Sequence, residues 1–236
     1  MEFTKLSAPS LKDLFVRQIQ SKILSGELPV GTRLPPEREL ARQMQVSRAV
    51  VNGGTAELAR QGFLTVSPRV GTVVADYRRS GNIETLLAIM DFQGQTLGRE
   101  EIVSLLQVRR ALEHLAVELA IVHASDQELK DLGHILDRLS LTEQSGEASR
   151  LAYEFHHELM LLSGNTILPL LYCSCRGPIL SLWNQFVGRY GLNALLQNME
   201  KLYRLLCQRD SAGAAAWIDS YLEQSISGSR QISGEK

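Results

Sequence analysis

Between Pro35 and Val74 the chain reads PPERELARQMQVSRAVVNGGTAELARQGFLTVSPRVGTVV, and no other stretch restricts the fold as much. Proline is tolerated in a first helical turn, where its missing N–H had no partner, so a helix starts near Pro36 and runs to about Gln43. Met44, Gln45 and Val46 make a connecting turn. Ser47 is placed to cap a second helix by accepting from its free N–H groups; that helix runs to about Gln61 and stops at Gly62. Phe63 to Val66 and Thr72 to Val74 are β-rich, and Pro68 and Gly71 supply a turn between them. Upstream, Leu11, Leu14, Phe15, Ile19 and Ile23 form one apolar stripe over residues 10–25, with Ser10 as N-cap and Gly26 as stop.

Helix, helix, tight turn, helix and hairpin, in that order, are the parts of a winged helix-turn-helix. Such a unit lays its second motif helix in the major groove of DNA while the hairpin reaches the neighbouring backbone. Charge agrees with this reading: residues 1–80 hold 12 Lys/Arg against 7 Asp/Glu, whereas residues 81–236 hold 13 against 19. A basic first third on an acidic remainder suits a nucleic-acid reader attached to something else.

Arg38 lies in the first turn of the first motif helix and Arg48 directly follows the Ser47 cap. Arginine there can grip guanine through two acceptors. Asn52, one turn on, can read adenine or a phosphate. Ser47 and the free N–H groups behind it can hold a phosphate oxygen. Arg69 stands at the hairpin tip, where a cation meets backbone, and Arg33 and Arg42 suit phosphate contacts or plain surface charge. Gly53-Gly54, mid-helix, costs roughly 1 kcal/mol per glycine relative to alanine. That points to close approach by another backbone, a neighbouring helix before DNA.

Asp76 to Gly81 is a short polar junction, and beyond it the pattern is helical. Helices are expected over 83–92, 99–122, 125–142, 147–162, 168–187, 192–207 and 212–226, with Gly94, Thr96 and Gly98 interrupting the first two and Ser125/Glu128 forming a capping box. The expected fold is mainly α: a DNA-binding domain over 8–76, a linker over 77–81, and an antiparallel all-α effector-binding and dimerisation bundle over 82–228.

Three cysteines, Cys173, Cys175 and Cys207, do not make a disulfide framework and fit a reducing compartment. Cys173-Ser-Cys175 lacks the spacing of a structural zinc site. No basic-then-apolar leader and no run of ~18 apolar residues is present, so a cytoplasmic protein is expected. An enzyme is disfavoured: no nucleophile–base pair, Gly-rich phosphate loop or spaced carboxylate pair occurs, and the adjacent His156 and His157 point in different directions on a helix. An RNA reader is disfavoured by the lack of an aromatic stacking platform.

Residues 11–75 resemble the DNA-binding domain of the GntR family of bacterial transcription regulators. The matching features are Leu34-Pro-Pro-Glu-Arg-Glu-Leu-Ala41, Val46-Ser-Arg48 and the Gly62-Phe63, Pro68-Arg69 and Gly71-Thr72 elements of the wing. The remainder resembles the effector domain of the FadR-type branch through Arg109-x-x-Leu-Glu113, Phe155-His156 and Ser163-Gly164-Asn165. The resemblance implies a homodimeric repressor-type regulator of double-stranded operator DNA, with Arg33, Arg38, Ser47, Arg48, Asn52, Arg69 and Gly71 at the DNA. Two departures stand out. Pro36 replaces the serine common before the Glu-Arg pair, and Asn52-Gly53-Gly54 replaces an Arg-Glu-Ala run.

Many effector domains of this branch hold a divalent metal with one aspartate and three histidines. Here those positions fall on Ala152, His156, Met199 and Tyr221. One imidazole cannot hold a first-row metal tightly, so no metal and no cofactor is expected. The apolar replacements suggest a greasier cavity able to take a long-chain acyl-CoA, the ligand of the branch's fatty-acid regulator. Tyr172, Trp183, Arg189, Tyr203 and Tyr221 are candidate polar anchors beside His156 and Met199. A carboxylate or sugar acid, with or without a metal, is the alternative, and Arg109 is its natural anion partner.

Overall fold

The computed structural model describes residues 9–93 and 99–232. They form two compact units that divide between Phe92 and Gln93.

The first unit opens with α1 (Leu11–Leu24). Ser10 Oγ accepts the Asp13 N–H at 3.1 Å and Asp13 accepts the Ser10 N–H at 3.1 Å, a reciprocal cap of two otherwise orphaned donors. The motif helices are α2 (Glu37–Gln43) and α3 (Arg48–Arg60). α2 starts after Pro36 without any side-chain cap, whereas Ser47 accepts from the Val50 N–H at 3.3 Å at the head of α3. The wing is the antiparallel pair β1 (Leu64–Ser67) and β2 (Gly71–Val74), registered with Leu64 opposite Val74 and Ser67 opposite Gly71.

Phe15, Ile19, Val51, Leu58, Phe63 and Val74 are buried together as the core of this unit. Burial of each such side chain contributes about 1.5–3 kcal/mol. Gly54 finds its explanation here: a neighbouring helix does pack against it, through a side chain and not through its backbone. A Cβ on Gly54 would stand 2.3 Å from Cδ1 of Phe15, so the missing side chain makes room for a ring of α1. Gly53 is freer, with only the Lys12 side chain at 3.5 Å.

Two features of this unit differ from the pattern read along the chain. Residues 32–34 run beside β2 as a third extended edge, with Leu34 N–H donating to Thr72 O and Val74 N–H to Thr32 O, both at 2.9 Å. The polar junction holds a helical turn, α4 (Tyr77–Ser80). The next helix, α5 (Ile83–Gln93), is tied to α3 and the turn after it: Thr85 Oγ1 donates to Gln61 O at 2.6 Å and Glu84 pairs with Arg60. The expected interruption at Gly94, Thr96 and Gly98 lies outside the described residues.

The second unit is all helix: α6 (Arg99–His123), α7 (Asp126–Leu141), α8 (Ser145–Leu162), α9 (Leu168–Ser174), α10 (Arg176–Cys207) and α11 (Ser211–Ile226). Ser125 and Glu128 form the expected capping box on α7. α8 is central, packed against α6, α7, α9 and α10, and its Leu151, Phe155 and Leu159 are sealed from solvent. The helix expected over 168–187 is broken at Cys175, where α9 ends and α10 begins. The break expected before Leu192 narrows to a kink at Gly191, whose φ of 81° and ψ of 167° no helix accommodates. The molecule is mainly α with a two-stranded wing, as the residue pattern leads one to expect.

Candidate nucleic-acid interface and effector centre

α3 presents one solvent-facing stripe. Arg48, Ala49, Asn52 and Ala56 are exposed along it, while Val51, Gly54, Thr55 and Leu58 face the core. Arg38, on the first turn of α2, is also exposed. Asn52 does not stand alone: its Nδ2 donates to Oε1 of Glu37 at 3.1 Å, a partner that reading along the chain did not single out.

The hairpin tip carries Arg69 in the left-handed region, at φ 77°, a conformation that costs a non-glycine residue free energy and is held by the turn around it. Gly71 has φ 97°, and a Cβ there would meet Arg33 Nε at 3.1 Å. The Arg33 guanidinium therefore lies beside the turn end of the wing, next to the tip that carries Arg69. Among the described residues, no ion pair involves Arg33, Arg38, Arg48 or Arg69, and all four are exposed. Arg42 differs, held by Glu39 through two hydrogen bonds at 2.6 and 3.1 Å; the Arg42 contacts keep the Glu39 carboxyl down at about 2.

The second unit has a polar centre in a greasy bundle. Arg109 and Glu113, one turn apart on α6, are both buried, with Arg109 Nε donating to Glu113 Oε1 at 2.5 Å. Arg109 Nη2 lies 3.2 Å from His156 Nε2 on α8, and His156 Nδ1 lies 2.8 Å from Ala152 O. These partners assign the tautomer: Nδ1 carries the proton to the carbonyl, and Nε2 accepts from the guanidinium. Burial pulls His156 down to about 4; Glu113 opposes this and Arg109 adds to it. The Tyr221 hydroxyl on α11 donates to the other Glu113 oxygen. The guanidinium also stacks 4.1 Å from the Trp183 ring centroid on α10.

Among the described residues, two polar atoms at this centre have no partner. The Tyr172 hydroxyl and Trp183 Nε1 are buried and are neighbours without meeting in hydrogen-bond geometry. Burial pushes the Tyr172 phenol far up, so it stays protonated. An unpaired buried polar atom costs about 1–3 kcal/mol and calls for a water or a ligand.

Of the effector candidates, Arg109, His156, Tyr172, Trp183 and Tyr221 meet here. Met199 is buried on α10. Arg189 and Tyr203 make their contacts elsewhere: Arg189 Nη1 donates to Gln231 O at 3.1 Å, and Tyr203 packs over Gly133 of α7. Arg109, expected as an open anion partner, is already engaged by an internal carboxylate.

The residues at the metal positions of related domains do not fit a metal. Alanine, methionine and a tyrosine already bound to Glu113 leave His156 alone, and its Nε2 faces a guanidinium. Among the described residues, no group of three or more His, Cys, Asp or Glu is placed to hold an ion. No helix among them is long and apolar enough to cross a membrane.

A capped recognition helix with open cations and a wing, carried in one chain with a separate all-α bundle, defines a DNA-binding transcription regulator. Residues 13–74 match the gntR family of bacterial regulatory proteins, and residues 104–224 match the FCD domain. The chain belongs to the GntR family, with an FCD effector domain, and is a regulator and not an enzyme.

The fatty acid metabolism regulator protein of Shewanella amazonensis is 30% identical over 183 residues, covering 74% of this chain and 69% of that one. The uncharacterised HTH-type transcriptional regulator Rv0494 of Mycobacterium tuberculosis is 27% identical over 208 residues, 88% of this chain and 84% of that one. A solved structure of Lar, which controls expression of the Listeria monocytogenes agr system, shares the fold with a TM-score of 0.61 at 18% identity, over 94% of this chain and 97% of that one.

Proposed function

We propose that this regulator acts in the cytoplasm as a homodimer on a two-fold operator, and that a small acidic effector bound in its helical unit changes its hold on DNA. The carrying observation is the outward set of Arg38 and Arg48 at the heads of α2 and α3 with Arg69 at the wing tip. All three lack acidic partners among the described residues. Arg48 and Asn52 take base edges, while Arg33, Arg69 and the Ser47 cap take backbone, with Gly71 shaping the wing. Two-fold symmetry places half-sites about one turn apart, or closer where wings crowd the dyad.

Effector action is a population shift: a ligand that prefers one spacing of the paired winged domains disfavours the other by its difference in affinity. Long-chain acyl-CoA is the first effector to test, supported by the likeness to a fatty acid metabolism regulator. A small organic or sugar acid is a second reading. It is favoured by the unpartnered donors of Tyr172 and Trp183, which suit an acceptor-rich head group.

A thermal-shift panel of acyl-CoAs, free fatty acids and sugar acids tests both, because a ligand selective for the folded state raises the melting point by mass action. The same ligand must alter operator affinity in an anisotropy titration. A panel in which no acid moves either quantity refutes the effector reading.

A further inference from the structure

We propose that Asn52 reads an adenine in the major groove, and that Glu37 orients its amide to do so. This rests on the reading of α3 as the recognition helix and goes beyond it by naming the base and a positioning residue. Asn52 lies on the exposed stripe of α3, one turn after Arg48. Its Nδ2 donates to Glu37 Oε1 at 3.1 Å. A carboxylate is an acceptor only, so the amide nitrogen and not its oxygen turns to Glu37. One Nδ2 hydrogen and the whole of Oδ1 stay available.

That remaining pair matches the adenine edge, which offers an N7 acceptor and an N6 donor. Guanine presents two acceptors, N7 and O6, and would set O6 against Oδ1. A phosphate is disfavoured for a different reason: the Glu37 charge beside the amide repels it. Arg48 carries no such anchor and keeps its own donors for a separate base pair. The flanking Ala49 and Ala56 leave the groove floor open to the amide.

Selection of duplexes from a random library by the full-length protein yields the operator, and anisotropy titrations on single-base-pair variants measure discrimination. The expected result is one A·T pair in each half-site whose replacement weakens wild-type binding by about 5- to 150-fold, the range a bidentate base contact carries. Asn52→Ala abolishes that preference and leaves the others. Replacing the adenine by 7-deazaadenine, which lacks the N7 acceptor, weakens the wild type but not Asn52→Ala. Glu37→Gln, whose amide can also donate and so lets Asn52 flip, narrows discrimination at the same pair alone. Arg48→Ala loses a different pair.

Uniform weakening of Asn52→Ala on every duplex, with a shallower salt dependence, makes Asn52 a phosphate contact and overturns the proposal. Unchanged discrimination in Asn52→Ala or in Glu37→Gln overturns it as well. Failure to enrich any duplex overturns the recognition-helix reading itself, and Asn52 with it.

Discussion

Glu113 stands one helical turn beyond Arg109 on α6 and holds its guanidinium at 2.5 Å, and neither side chain reaches water. Two charges inside a bundle are tolerated because each is met from several sides: His156 and Trp183 face the guanidinium and Tyr221 the carboxylate. Removing one member leaves the other buried and unpaired. Glu113→Ala is expected to destabilise the helical unit by about 3–5 kcal/mol, whereas Arg109→Met with Glu113→Leu recovers most of that loss. Both tryptophans, Trp183 and Trp217, lie in this unit, so fluorescence-detected urea unfolding reads it directly. Equal losses in the single and double variants would count against a paired role.

His156 makes that centre acid-sensitive. Its folded value of about 4 lies below the ordinary 6.5 that the unfolded chain keeps. Between these values the unfolded state holds more protons, so stability falls as pH drops from about 6.5 toward 4 and is flat above. The full effect is about 3 kcal/mol, at about 1.4 kcal/mol per unit. His156→Gln, which does not titrate, is expected to lose less on acidification. Parallel unfolding curves at pH 7.5 and 4.5 check the difference.

Neighbouring glycines on α3 should respond oppositely. Gly53→Ala meets only the Lys12 side chain and is expected to gain up to about 1 kcal/mol from helix propensity. Gly54→Ala drives a methyl into the Phe15 ring, and the strain of about 1–3 kcal/mol exceeds that gain. Thermal melts followed by circular dichroism should rise for the first and fall for the second.

Arg48 and Arg69 should separate sequence reading from backbone grip. Arg48→Ala is expected to lose discrimination at its own base pair, with fold and dimer intact. Arg69→Ala is expected to weaken all duplexes alike and to lower the salt slope by about 1. Titrations on operator and scrambled duplexes between 50 and 200 mM salt resolve the two behaviours.

Metal removal should change nothing. With Ala152, Met199 and Tyr221 at three of the four ligand positions, dialysis against a chelator is expected to leave the melting temperature unmoved, as is added zinc, nickel or manganese. A metal-dependent shift of several degrees would contradict the assignment of His156 as a guanidinium partner.

Much of the first unit was legible because its signals are local. Ser10 and Ser47 cap the helices that follow them, and Pro68 with Gly71 turns the wing, since each acts on backbone within a few residues. The third edge at 32–34 was not legible: its hydrogen bonds reach Thr72 and Val74, some forty residues on, and nothing in Thr-Arg-Leu announces them. Glu37 escaped notice for the same reason, as its partner lies on another helix.

Chain order alone determined that a capped helix beginning at Arg48 would be followed by a hairpin with Arg69 at its tip, because caps, turns and apolar spacing are written in neighbours. Only tertiary packing decided that Gly54 makes space for Phe15, that α9 and α10 part at Cys175, and that the Arg109 cation is answered from within. Those outcomes depend on which surfaces helices far apart in the chain bury against one another, and on the cost of leaving a charge without a partner there.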